Sequence, residues 1–173
     1  MSEGEKSLWY AIYIRARWEK QVSRLLEQAG IVHYLPLYKT VRIWSDRKKQ
    51  VVVPLFPSYL FVKIKKHEQF SVMSTPGVVR IIKFEGKPVI IPERQIDAVK
   101  LLLSKDIDVD APIINPEPGD ELEIYKGNLK GLKGELVEYR GKKKIAIRLD
   151  AIDKSIIIHI PLSYAKVTRK KAE

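Results

Sequence analysis

The chain has 173 residues, 45% of them hydrophobic, enough to bury a core in one domain or two small ones. It contains no cysteine, which excludes a disulfide scaffold, a cysteine zinc site and a thiol nucleophile. A formal charge of +11, from 32 Lys+Arg against 21 Asp+Glu, attracts polyanions, nucleic acid first among them.

The N-terminal MSEGEKS is polar with no apolar h-region, and no apolar stretch approaches about 20 residues. Neither a signal peptide nor a membrane span is expected, and the reading is of a cytoplasmic protein. LWYAIYI (8–14) is aromatic and β-branched, as a strand requires. At about 100° per residue, Trp18, Val22, Leu25, Leu26 and Ala29 then share one arc, and Gly30 supplies a stop. Arg17, Lys20 and Arg24 lie on the opposite arc, so 17–29 is expected as a helix with one apolar and one basic face. IVHYLPLYKTVRIW reads as extended chain, SDRKKQ as a charged turn, and VVVPLFPSYLFVKI as extended again. Pro54 and Pro57 bar that last run from the middle of a sheet. HEQFSVMS is a short helix candidate, and TPGVVRIIKFEGKPVIIP gives two short strands around Glu85-Gly86. Pro92 opens another helix through Leu103.

Strands interrupted by helices predict an α+β domain over 6–104. Residues 105–118, with three prolines and three aspartates, read as a linker. Beyond it, over 119–170, five short β-branched runs separated by Gly-bearing or charged turns predict a small closed barrel.

No catalytic constellation emerges, and the chain reads as a binding protein rather than an enzyme. His33, His67 and His159 are scattered without metal-ligand spacing, so no metal or cofactor is expected. GNLKGLKG lacks the spacing and the terminal Lys-Ser/Thr pair of a phosphate loop.

The order of motifs carries a resemblance. W-Y on a first strand, an amphipathic helix, P-L-F-P-S-Y-L-F-V, T-P-G-V-V-R-I, a second helix, a linker and G-D-E-L-E-I-Y-K-G-N-L-K-G-L-K-G-E-L follow one another from about Leu8 to Val167. This resembles the NusG family of transcription elongation factors. The resemblance implies an α+β NusG N-terminal (NGN) domain followed by a small all-β SH3-like KOW barrel. F-P-S-Y in place of the family's usual F-P-G-Y resembles the specialised paralogues, RfaH and the UpxY regulators, acting on particular operons in elongation and antitermination. A general NusG-type elongation and termination factor is the alternative within the family. A ribosome-associated KOW RNA-binding protein is the alternative outside it.

By the resemblance, the N-terminal domain binds the clamp helices of RNA polymerase through an apolar depression beside F-P-x-Y. Phe56 and Tyr59 match that motif, and Tyr10 and Phe61 match aromatic positions on nearby strands; Trp9 reads as core. Arg15, Arg17, Lys20 and Arg24 form a basic ridge suited to DNA, and the family's use of an exposed non-template strand in the transcription bubble adds Thr75. The tip Arg47-Lys48-Lys49 reads as a solvated turn. In the KOW domain, Gly127, Gly131 and Gly134 are expected to supply turns, and Ile152 in LDAIDKS is the apolar candidate for contact with a partner, a small-subunit ribosomal protein in the family. The aromatic residue that general NusG carries there is missing, which argues against Rho. Three glycines and SIIIHI favour a barrel over a resident helical form of this domain. A monomer is expected.

Overall fold

The structure is a computed structural model and describes residues 5–172 apart from 106, 111 and 115. The chain divides into two compact units, one up to Ile91 and one from Pro92 onward.

The first unit is built on β1 (Leu8–Ile14), with α1 (Glu19–Gln28), β2 (His33–Tyr34), β3 (Leu37–Trp44), β4 (Arg47–Pro54) and β5 (Tyr59–Ile64) following. Then come α2 (Gln69–Met73), β6 (Val78–Ile81), β7 (Lys83–Phe84), β8 (Lys87–Pro88) and β9 (Ile90–Ile91). The main sheet runs β2-β5-β1-β6, and β9 pairs with β1 beside Trp9 and Tyr10. Thus β6 and β9 lie end to end along one edge of β1, with β7 and β8 as a hairpin excursion between them. Glu85 and Gly86, the expected turn, both take positive φ (49° and 78°), which suits a two-residue hairpin loop. One face of the sheet, through Ile12, Ile14, Leu60, Val62 and Ile64, packs on Val22 and Leu26 of α1 and Val72 of α2. These are the residues that a 3.6-residue period aligns on α1, so the amphipathic arc does what its spacing implies.

β3 and β4 pair only with each other, in register from Leu37↔Pro54 to Trp44↔Arg47. The charged turn is shorter than SDRKKQ suggests: only Ser45 and Asp46 fall between the strands, and Arg47, Lys48 and Lys49 are strand residues. α1 likewise starts at Glu19 rather than at 17, because Arg17 has φ 68°.

The second unit opens with α3 (Glu93–Ser104), for which Pro92 is the N-cap residue. β10 (Ile113–Ile114), β11 (Glu121–Ile124), β12 (Lys133–Tyr139), β13 (Lys142–Leu149), β14 (Lys154–Ile158) and β15 (Ala165–Arg169) form one antiparallel sheet in the order β10-β14-β13-β12-β11-β15. This is the five-stranded all-β domain that the sequence predicts, with a sixth strand added by the stretch expected as linker. Asp110 N–H donates to Ile157 O at 3.1 Å, His159 N–H donates to Asp108 O at 3.1 Å, and Arg148 Nη2 donates to Pro116 O at 2.9 Å. Val109, by a single bridge to Ile158, and Ile113 and Ile114, as β10, therefore pair along the edge of β14, as their β-branched side chains favour. Arg148 also donates twice to Glu135, at 2.9 and 3.0 Å, and that carboxylate raises the guanidinium pKa above its ordinary value. Gly127 and Gly131 take positive φ at turns, whereas Gly134 is a strand residue whose Cβ would come within 2.9 Å of Ala146 O. Among the described residues no helix is long and apolar enough to cross a membrane.

Candidate functional site

Three turns of one type meet at the C-terminal end of β1. In Arg15-Ala16-Arg17-Trp18, Phe56-Pro57-Ser58-Tyr59 and Thr75-Pro76-Gly77-Val78, the fourth residue's N–H donates to the first residue's C=O at 3.1 Å. The third residue of each is left-handed: Arg17 at φ 68°, Ser58 at 66° and Gly77 at 93°. That is type II geometry, and proline at the second position of two of them pre-sets its φ. The prolines divide the second β-run: Pro54 ends the β3–β4 ladder and Pro57 builds the turn. Tyr59–Ile64 beyond them lies inside the main sheet between β2 and β1, which corrects the expectation that the run stays out of its middle.

The turns are tied to one another. Ile14 N–H donates to Ser58 O at 2.9 Å and Arg15 N–H to Gly77 O at 2.9 Å. Glu19, 7% exposed, accepts from Ser58 N–H through Oε1 at 3.0 Å. Trp18 packs so closely on Gly77 that a Cβ there would sit 2.6 Å from its ring. The short polar links and the packed indole leave this end of the sheet one shape.

On β1 and β5, directly paired residues share a face and neighbours alternate. Trp9, Ala11 and Tyr13 therefore stand with Lys63, Phe61 and Tyr59. Tyr10 stands on the other face with Val62, 6% exposed within the helix-covered core. This corrects the expectation that groups Tyr10 with Tyr59 and Phe61; strand parity separates it from them. Tyr13 takes its place, half-buried, with its ring edge-on to Tyr59 (centroids 5.4 Å apart, planes at 71°). Arg80 covers the Tyr13 ring at 5.3 Å. Phe56 and Phe61 are 2% and 0% exposed and pack on each other edge-to-face at 5.9 Å. They are core residues supporting the turn, and offer no free surface themselves. Tyr34 stacks on Phe61 at 6.5 Å, and burial pushes its phenol pKa up to about 12. Of the four aromatic candidates, only Tyr59 is both in the turn and partly exposed.

The basic candidates lie next to it. Arg15, Arg17, Lys20 and Arg24 are all exposed. Arg15 lies over the Trp18 ring at 5.7 Å, and Lys20 Nζ reaches Val52 O at 3.5 Å. Thr75 opens the third turn, and its hydroxyl donates to Ser71 O at 3.2 Å. The structure thus brings Arg15, Arg17, Thr75 and Tyr59 to one sheet end, with Lys20 and Arg24 continuing along α1.

Each histidine has a structural partner: His33 with Ser23 at 2.8 Å, His67 with Glu5 at 2.7 Å, and His159 with Asp110 at 3.1 Å. The hydrogen bond from His67 lowers the Glu5 carboxyl below its usual pKa. In the second unit Ile152 is 6% exposed, in a short 3-10 turn (Asp150–Ile152), so its side chain is a core group and not a contact surface as it stands. Among the described residues no group of three or more His, Asp or Glu is disposed to hold a metal.

The family described as "Transcription termination factor nusG" matches residues 7–100. The transcription termination/antitermination protein NusG of Pseudomonas aeruginosa is 25% identical over 148 residues, spanning 78% of this chain and 83% of the relative. The protein of the same name from Escherichia coli K12 is 23% identical over 165 residues, 86% of this chain and 91% of the relative. Among solved structures, Thermotoga maritima NusG aligns with a TM-score of 0.52 at 18% identity, over 95% of this chain and 98% of that one, a likeness of fold.

Proposed function

The chain belongs to the NusG family of transcription termination/antitermination factors, which bind RNA polymerase and are not enzymes; from that premise we propose that it grips the polymerase clamp helices through the Phe56–Tyr59 turn. The observation that carries this reading is the half-buried Tyr13–Tyr59 pair at the end of a rigid, cross-linked set of turns. A tyrosine at such a margin presents an apolar body to a partner and keeps its hydroxyl wet when free. Phe56, Phe61 and Tyr10 act from within, by fixing the two strands that carry the pair. Bound there, the factor bridges the polymerase cleft, holds the clamp closed and opposes pausing or termination.

Arg15, Arg17, Lys20 and Arg24, with Thr75, face the non-template DNA strand of the bubble in this reading. Among the described residues these exposed cations have no carboxylate within ion-pair distance, which suits them to phosphates, though they carry little sequence information on their own. The KOW domain recruits a small-subunit ribosomal protein through the surface around residues 150–153, over the buried Ile152. Within the family, Ser58 supports a specialised paralogue serving particular operons. The second reading, a general elongation factor, has one observation in its favour: at φ 66° Ser58 reproduces the backbone that a glycine gives, so the turn has the same shape either way.

Pull-down of RNA polymerase tests the interface. Tyr59→Ala should weaken binding by about 2 kcal/mol, roughly thirtyfold, as truncation of an interfacial aromatic anchor does. Tyr13→Ala should weaken it less. Full binding by a folded Tyr59→Ala variant sinks the proposal.

A further inference from the structure

The hairpin between β12 and β13 ends in Tyr139-Arg140-Gly141-Lys142 and continues into Lys143 and Lys144. Arg140 and Gly141 are both left-handed, at φ 51° and 70°, as a two-residue type I′ loop demands. Asparagine, aspartate or glycine suits the first of these positions; arginine occupies it against backbone preference, so turn chemistry does not account for it. Four of the five residues from 140 to 144 are cations. Among the described residues none of the four has a carboxylate within ion-pair distance, although Glu138 stands opposite Lys143 in the ladder. Such a cluster of like charges favours an anionic partner.

The arrangement also has a flat component. The Arg140 guanidinium lies over the Tyr139 ring, 5.0 Å from its centroid. Tyr139 rests in turn against the apolar cluster of Val137, Ala146 and Ile157, so the platform is held from beneath. Strand parity puts Lys142 and Lys144 on the same face as Tyr139, two residues apart along β13 and so about 7 Å from each other. Lys144 Nζ lies 3.5 Å from His159 Nδ1, whose Nε2 pairs with Asp110. A braced aromatic-guanidinium stack beside a row of lysines combines the two elements that hold unpaired nucleotides: a surface for a base and charges for the backbone.

We propose that this hairpin tip is a binding site for single-stranded nucleic acid. An unpaired base stacks on the outer side of Arg140, and Lys142 and Lys144, on the Tyr139 face, contact the flanking phosphates. A duplex would leave the stack idle, because its bases already cover one another. The site lies wholly within the second unit and does not depend on the polymerase reading.

Fluorescence anisotropy of the full chain with labelled oligomers of about 15 nucleotides tests it: single-stranded RNA, single-stranded DNA of the same sequence, and duplex DNA. The variant is Arg140→Asn with Lys142→Gln, because asparagine suits the left-handed turn and keeps the hairpin folded. Affinity for the single strands should fall about tenfold at low salt. The slope of log K against log salt should shrink by about 0.7 for each phosphate that the variant no longer neutralises. Equal weakening with RNA and DNA supports a site for the shared backbone and base, and greater weakening with RNA supports a site for transcript. Unchanged single-strand affinity and slope overturn the proposal, and so does an equal weakening on duplex DNA. The same variant should retain polymerase in pull-down, so failure of this site and failure of the clamp interface are told apart by separate measurements.

Discussion

Ser58 and Arg140 both place a side-chain-bearing residue in left-handed backbone at a tight turn, yet the protein treats the two turns in opposite ways. Ser58 is held on both sides, its N–H by the buried Glu19 and its C=O by Ile14. Arg140 stands at an exposed tip, held by the ladder of β12 and β13 and by its own contact with Tyr139. A pinned turn preserves a shape, which a protein partner reads by fit. An exposed, cation-rich tip presents charge, which a polyanion reads over a distance. The contrast therefore separates a surface whose geometry matters from one whose electrostatics matter.

Removing the pin should produce the largest effect. Glu19→Ala leaves the Ser58 N–H without its charged acceptor in a part-buried setting, at a cost of about 2 kcal/mol. Urea or thermal unfolding of the first unit measures it. Glu19→Gln keeps an acceptor oxygen and should cost about half as much. If both substitutions leave stability and polymerase binding untouched, Glu19 is not what fixes the turn.

Relieving the strain at the pinned turn comes next. Ser58→Gly should stabilise the first unit by about 1 kcal/mol, since glycine enters the left-handed region without a Cβ penalty. Polymerase binding should hold, because the backbone shape is unchanged. A loss of polymerase binding in a stabler Ser58→Gly protein would show that the hydroxyl is read directly, and with it the mark of a specialised factor.

Much of this is legible in the sequence where local chemistry decides the outcome. T-P-G-V and E-G dictate turns, and the arc of Val22 and Leu26 dictates which side of α1 meets the sheet. Tyr10 and Tyr13 are not separable in the same way. In LWYAIYI both alternating sets are apolar or aromatic, because β1 is a central strand with buried residues on each face, so periodicity cannot say which set faces the helices. Arg17 has good helix propensity and reads as part of α1; only the link between Arg15 and Gly77 shows why the chain must turn there first. Glu19 carries no signal, since a glutamate in a first helical turn is ordinary and its burial depends on a residue 39 positions away. The prolines of 105–118 mask Val109, Ile113 and Ile114, whose β-branched side chains mark the added strand. Ile152 reads as exposed because it sits in a loop between acidic residues, but that loop is a tight 3-10 turn that folds its one large apolar side chain inward.

The smallest effect expected is the one that sets the two turns furthest apart. Arg140→Asn alone should raise the stability of the second unit by about 0.5 kcal/mol, a shift that careful thermal melts resolve, because asparagine tolerates left-handed backbone better than arginine does. Removal of the stack on Tyr139 offsets part of that gain, which keeps the net change below the one at Ser58. At the pinned turn, easing the backbone should leave binding intact; at the free tip, easing it should weaken single-strand binding, since the side chain removed is the one that stacks. A variant that becomes more stable while its ligand binds more weakly identifies a residue retained for what it presents to solvent. If Arg140→Asn instead destabilises the unit, the arginine is a structural clamp on Tyr139, and the strain at the tip is offset within the fold.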